Sequence, residues 1–285
     1  MNQSDSWYRG ESVSQSLGEN MVVRVCVAGA TGWTGSAVTR KILESSEFQL
    51  VGAIARQQAG VEIGEALGRD RVGLNIVTTL EEALAIPTDV LIDFTSPDSV
   101  KSHILKALDK GVHVIVGTSG LTTSDYEEID HRAQELNLGV IAAGNFSITA
   151  ALAKHFALIA AKFLPSWEII DYASAGKIDA PSGTTRELAE TLATVARNQL
   201  AVPVEQTYGP KEARGTTIEG TQVHSVRLPG YVIAFETIFG LPDERLSIRH
   251  DAGSSAEPYV VGTLLAASKV MGVRGLVRGL DQLLF

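Results

Sequence analysis

An apolar run, Val22–Ala28, passes directly into Gly29-Ala30-Thr31-Gly32-Trp33-Thr34-Gly35, and Thr34–Ser45 then carries helical spacing. A strand that turns into a helix through three glycines has few folded solutions. Glycine at the first position permits a tight turn, at the fourth it admits a diphosphate close to the backbone, and at the seventh it lets helix and strand pack closely. The amides left free at the helix start, with the positive end of its dipole, then face an anion. The pattern predicts a dinucleotide site with contacts from Gly29, Thr31, Gly32, Trp33, Thr34 and Gly35. The alternative is a glycine-rich turn that serves packing alone.

The second strand, Gln49–Ile54, sharpens the choice of cofactor. NAD-binding folds often place an Asp or Glu at its end for the ribose hydroxyls. Here the strand runs out as Ile54-Ala55-Arg56, with no carboxylate. Arg56 suits a 2′-phosphate, which favours NADPH, with NADH the alternative.

The rhythm after the turn is that of an α/β sheet. Strands are predicted at Leu74–Thr78, Asp89–Phe94, Val112–Val116 and Gly139–Ala143, and helical segments at Leu80–Leu84, Ser96–Gly111 and Thr123–Leu136. Such alternation implies right-handed crossovers and a doubly wound parallel sheet. The pattern changes near residue 147. A helix at Ile148–Leu164, a strand at Trp167–Tyr172 and a helix at Ser182–Asn198 precede short alternating runs, Thr221–Leu228, Tyr231–Phe239 and Arg245–His250. These suit a mixed, largely antiparallel sheet, giving a second α+β domain. A final helix is predicted at Glu257–Met271. The expected organisation is a tail over 1–20, a dinucleotide-binding domain over 21–146 plus 252–285, and a substrate-binding and oligomerisation domain over 147–251. The first 20 residues lack the basic start and apolar centre of a secretion signal, and read as a disordered tail or as upstream of a start at Met21.

Composition narrows the partners. A net charge of −9 argues against nucleic acid and anionic membranes, which need clustered Lys and Arg. No apolar run reaches the ~18–20 residues of a membrane span; the longest candidate, Ala150–Leu164, is interrupted by Lys154, His155 and Lys162. A single cysteine, Cys26, cannot form an intrachain disulfide, which fits a reducing, cytoplasmic setting. It lies in an apolar strand and reads as a structural thiol. Neither paired Cys nor His-x-x-x-His spacing points to a metal.

The other informative segment is Lys177-Ile178-Asp179-Ala180-Pro181-Ser182-Gly183-Thr184. Ser182 can cap the following helix, while Gly183 and Thr184 present amides at its first turn. Those amides, the two hydroxyls and the Lys177 ammonium form a cradle for a small-molecule carboxylate. A capped helix beside a solvated lysine is the equally weighted structural alternative.

Lys-x-Asp-Ala-Pro-Ser-Gly-Thr resembles the signature of the dihydrodipicolinate reductase family of the diaminopimelate and lysine pathway. Further blocks carry the resemblance in order: Val27-Ala28-Gly29-Ala30 with Gly32 and Gly35, Asp89–Thr95, Gly117-Thr118-Ser119-Gly120, Ala143-Gly144-Asn145-Phe146-Ser147, Ser225–Gly230 and Glu244-Arg245-Leu246. The resemblance implies an NAD(P)H-dependent reductase of a carboxylated cyclic imine, usually a homotetramer joined through the sheets of its second domains. It places Gly117, Thr118, Ser119, Asn145 and Phe146 around the nicotinamide, with Phe94 and Ala143 on the same side, and Arg56 as the cofactor-selecting arginine. Lys177, Ser182, Gly183 and Thr184 match substrate-binding positions.

One departure bears on the chemistry. The family motif begins Glu-x-His-His-x-x-Lys, its first His being the expected proton donor. Here the stretch reads Asp171-Tyr172-Ala173-Ser174-Ala175-Gly176-Lys177. Ala173 and Ser174 stand at the two His positions, and Ala234 where another His is frequent. Trp33-Thr34 replaces the usual Arg-Met. Lys177, Tyr172 or solvent must supply the proton, or the pocket serves another imino or oxo acid, or the chain is a non-catalytic NAD(P)H-binding sensor or assembly protein.

Overall fold

The computed structural model describes residues 22–285; the predicted tail lies outside the described residues. The apolar run forms β1 (Val23–Ala28) and the glycine turn leads into α1 (Trp33–Leu43). There follow β2 (Phe48–Ile54), the short helices α2 (Ile63–Ala66) and α3 (Leu80–Ala83), β3 (Val90–Asp93), α4 (Pro97–Asp109), β4 (His113–Val116), α5 (Thr123–Glu135) and β5 (Gly139–Ala142). Helix starts are set by local chemistry. Pro97 opens α4, where a missing N–H costs nothing, and Thr122 with Asp125 closes a capping box on α5.

The first sheet is parallel, in the order β11-β5-β4-β3-β1-β2, and β11 (Gly275–Arg278) returns from the end of the chain to pair with β5. Helices cover both faces, so its strands are apolar throughout rather than alternating. Val25, Val27, Ile92 and Ile141 pack on α1 and α8 (Glu257–Lys269), and Cys26, Leu91, Val114 and Val140 pack on α4 and α5. Burial of Cys26 pushes its thiol up to about 12, consistent with a structural role.

After β5 the chain leaves this sheet through α6 (Ile148–Ala161), capped by Ser147, and builds β6 (Trp167–Ala173), α7 (Gly183–Val195), β7 (Thr216–Ile218), β8 (Thr221–Arg227), β9 (Ile233–Leu241) and β10 (Glu244–Ala252). The second sheet runs β10-β9-β6-β8-β7, antiparallel except for β6 with β8. Along β6 burial alternates. Trp167, Ile169, Asp171 and Ala173 face α6 and α7, while Glu168, Ile170 and Tyr172 face the other way. The α/β class and the mixed second sheet are as expected. Among the described residues no helix is long and apolar enough to cross a membrane.

Three details differ from expectation. Leu74–Thr78 forms only isolated bridges, Ile54 with Val77 and Glu62 with Asn75. The buried Glu62 carboxylate accepts the N–H groups of Val72, Gly73 and Leu74 at the entry to this segment, and within it Ile76 and Val77 donate to two different neighbours, Val61 O and Ala53 O, so no single ladder forms. The helix predicted to reach Asn198 ends at Val195, because the Asn198 amide leaves the helix to bond both N–H and C=O of Trp167. The four-residue β11 was missed, being too short to show a period.

Trp167 is the largest fully buried side chain, with Nε1 donating to Thr221 Oγ1 at 3.0 Å. Trp167→Ala should destabilise the second sheet by ~3–5 kcal/mol, read as an earlier urea midpoint. A midpoint unchanged from wild type would contradict this packing.

Candidate functional site

The glycines of the turn are required by their neighbours. A Cβ on Gly29 would lie 2.1 Å from the Phe94 carbonyl oxygen, and one on Gly35 would lie 2.0 Å from that of Gly29. Gly29 and Ala30 both donate their N–H groups to Ile54 O, at 2.9 and 3.0 Å, so the turn is tied to the end of β2. Arg56 follows two residues later, exposed to solvent. The Trp33 ring packs edge-on against Tyr259 of α8, with centroids 5.6 Å apart, and remains 52% exposed.

A second loop is locked by Asp93 at the end of β3. Its buried carboxylate accepts from the Thr95 and Thr118 hydroxyls at 2.7 and 2.6 Å and pairs with His103 Nδ1 at 2.7 Å. Thr118 is thus committed to shaping its loop. The Phe94 ring lies across Gly117, where a Cβ would meet it at 2.0 Å, and meets Phe146 in a T-shaped contact.

These parts converge on a solvent-open cleft of about 620 Å³ between the two sheets. It brings together the predicted Trp33, Thr34, Phe94, Gly117, Ser119, Ala143, Asn145 and Phe146 from one side and Lys177, Ser182, Gly183 and Thr184 from the other. Gly29, Thr31, Gly32, Gly35, Arg56 and Thr118 do not line it. Gly144, Asp179, Ile233 and Tyr259 line it and were not anticipated as site residues. Tyr259 reads in the sequence as one more apolar position of a helix, and nothing local reveals which loop it meets.

The cradle is built differently from expectation. Ser182 Oγ donates to Asp171 Oδ1 at 2.7 Å and accepts the Thr185 N–H of its own helix, while the Ser182 N–H donates to Asp171 Oδ2 at 2.9 Å. The Thr184 hydroxyl donates to Gly144 O at 2.9 Å. The two hydroxyl protons expected to reach a ligand are therefore spent inside the protein. The first-turn amides of Gly183 and Thr184 remain, since a helix gives them no acceptor. Lys177 Nζ is 2.7 Å from Asp179 Oδ1.

Asp171 is the organising group. Besides Ser182 it accepts from Thr185 Oγ1 at 3.0 Å, Ser225 Oγ at 3.3 Å and Arg227 Nη2 at 2.7 Å. Arg227 Nη2 also donates to the Asp179 carbonyl at 2.6 Å, so β6 and β8 together hold the loop. Burial pushes the Asp171 carboxyl up, but Ser182, Arg227 and Thr185 outweigh it and hold the group below its ordinary value.

None of the six histidines lines the cleft. His103 pairs with Asp93, His113 accepts the Gly139 N–H, His224 pairs with Glu168, and His155 stacks on Phe285. His131 lies beside Glu135, and His250 Nε2 is 3.1 Å from Thr149 Oγ1. Ala173 is fully buried. Tyr172, one of the substitutes for a proton donor, is on the far face of the sheet with its hydroxyl 3.2 Å from Glu236, and does not reach the cleft.

Asp171→Asn should cost ~3–5 kcal/mol near neutral pH, because buried donors lose their charged acceptor. A carboxyl lowered by folding stabilises above its unfolded value of ~3.9, and that contribution fades as pH falls through the lower folded value. The gap between wild type and variant in urea should therefore shrink on acidification below pH ~4. A gap that stays constant would show that Asp171 is not held ionised.

Residues 23–146 match the family model "Dihydrodipicolinate reductase, N-terminus" and residues 146–284 match "Dihydrodipicolinate reductase, C-terminus". The chain is 39% identical over 264 residues to the 4-hydroxy-tetrahydrodipicolinate reductases of Desulfitobacterium hafniense and Moorella thermoacetica, covering 92% of this chain and 98% of each relative. Among solved structures, dipicolinate-bound dihydrodipicolinate reductase from Paenisporosarcina sp. TG-14 superimposes with a TM-score of 0.74 at 29% identity, over 92% of this chain and 99% of that one. The chain belongs to the dihydrodipicolinate reductase family and is an NAD(P)H-dependent oxidoreductase of that kind.

Proposed function

We propose that this family member reduces a small carboxylated cyclic imine, with 4-hydroxy-tetrahydrodipicolinate the first substrate to test and NADPH the preferred cofactor. The observation that carries the reading is the cleft itself, where Trp33 and Thr34 of the dinucleotide turn and a helix start with two free amides face one space. The Gly29–Gly35 turn would hold the diphosphate of the cofactor, Arg56 would answer a 2′-phosphate, and Phe94 with Phe146 would border the nicotinamide. Bound NADPH supplies hydride.

The remaining residues bind, orient and supply the proton. The Gly183 and Thr184 amides hold a substrate carboxylate, and Ser182 acts behind them by fixing the helix start to Asp171. Lys177 brings the cation, kept in place by Asp179, and is the proton source together with water. We further propose a cytoplasmic protein that assembles as a homotetramer through the helix-free face of its second sheet, where Ile170, Tyr172 and Ile238 are only half-buried.

A second reading follows from the placement of the histidines. With no imidazole at the cleft, the chain could bind cofactor and carboxylate as a sensor, or turn over a different imino or oxo acid whose reduction needs no strong acid.

Steady-state NADPH oxidation with freshly generated 4-hydroxy-tetrahydrodipicolinate separates these. The expected result is turnover above background, falling ~10²-fold or more in Lys177→Met. The pH profile of kcat/KM should show no inflection near ~6.5, where an imidazole titrates. No turnover, with both ligands bound, would favour the sensor or the other substrate. A 6.5 inflection would contradict the proton assignment.

A further inference from the structure

A cluster of charges behind the cleft joins its two sides and has no part in the proposed reaction. Glu187, in the second turn of α7, accepts the Gly144 N–H at 2.5 Å through Oε2 and the Lys154 ammonium at 2.7 Å through Oε1. Lys154 Nζ also lies 3.0 Å from Asp281 Oδ1. The side chains of Lys154, Glu187 and Asp281 are only 9%, 14% and 1% exposed. Lys154 comes from α6, Glu187 from α7 and Asp281 from the turn after β11, so the cluster fastens the first sheet's closing segment to the helices of the second.

The same helix takes hold of Gly144 a second time. Its carbonyl accepts the Thr184 hydroxyl at 2.9 Å, so both polar groups of this residue are bonded to α7. The fit is close: a Cβ on Gly144 would lie 3.0 Å from both Glu187 Oε2 and Gly183 O. Gly144 sits within Ala143–Phe146, on the dinucleotide side, whereas Gly183 and Thr184 are the carboxylate side. A shift of one segment is passed to the other through these bonds.

Stability alone is a poor explanation for the cluster. Charges removed from water lose hydration that their attraction only partly restores, and apolar replacements are often as stable. What the charges add is direction, a carboxylate oxygen aimed at one peptide N–H.

We propose that Glu187 is a positioning residue that couples the two halves of the cleft, so that a dinucleotide and a carboxylate each tighten the binding of the other. The inference rests on the reading that the cleft takes both ligands. Such coupling is reciprocal: the factor by which NADPH strengthens carboxylate binding equals the factor by which carboxylate strengthens NADPH binding.

The test is calorimetric titration of the full chain with pyridine-2,6-dicarboxylate, with and without saturating NADPH, and the reverse titration. Wild type should show a coupling factor of ~5-fold or more, equal in both directions. Glu187→Ala leaves Lys154 paired with Asp281 and the Thr184 hydroxyl on Gly144 O, and should cut the factor by ~2-fold or more toward one, with each ligand still binding alone. Glu187→Met, which fills the space without an acceptor, should do the same and decides the matter if the alanine variant does not fold. A purely structural role would lower the melting temperature and weaken both ligands while leaving the factor unchanged, which overturns the proposal. Independent binding in wild type also overturns it. A wild type that binds neither ligand removes the reading beneath it.

Discussion

The Asp171 carboxylate is the constraint on which the cleft depends. It is fully buried and saturated by donors from the loop, from α7 and from β8. Without it, Ser182 would lose the acceptor of both its N–H and its hydroxyl, and Arg227 would lose the anion that lets it hold the Asp179 carbonyl. The first turn of α7 would then have no fixed direction. Because that turn carries both the free amides and the grip on Gly144, one carboxylate sets the cradle and, through it, the approach of the two sheets.

What the sequence revealed was what short-range sterics and periodicity control. The turn at Gly29, Gly32 and Gly35 was legible because its demands are mostly local: Gly29 O crowds a Cβ at both Gly32 and Gly35, and only at Gly29 is the crowding oxygen a distant one, that of Phe94. The parallel strands were legible as unbroken apolar runs, and the change to a mixed sheet as a change of period. Lys177, Gly183 and Thr184 lie in one cleft with Asn145 and Phe146.

Partnerships across the chain were not legible. The Thr184 hydroxyl bonds a carbonyl 40 residues upstream, and Lys154, which in the sequence merely interrupts an apolar helix, finds Glu187 33 residues away. Ser182 carried the right chemistry for a ligand contact, but the acceptor that uses it stands on β6. In each case a polar side chain settled a backbone question that hydrophobic pattern leaves open.

The central claim is that the amides of Gly183 and Thr184 bind the substrate carboxylate while Ser182 stays bonded to Asp171. A crystal structure with NADPH and pyridine-2,6-dicarboxylate tests it most directly. The account predicts carboxylate oxygens within hydrogen-bonding distance of both amides, Lys177 Nζ nearby, and Ser182 Oγ still on Asp171. A dicarboxylate seated away from the start of α7, or a Ser182 hydroxyl turned from Asp171 to the ligand, would contradict it.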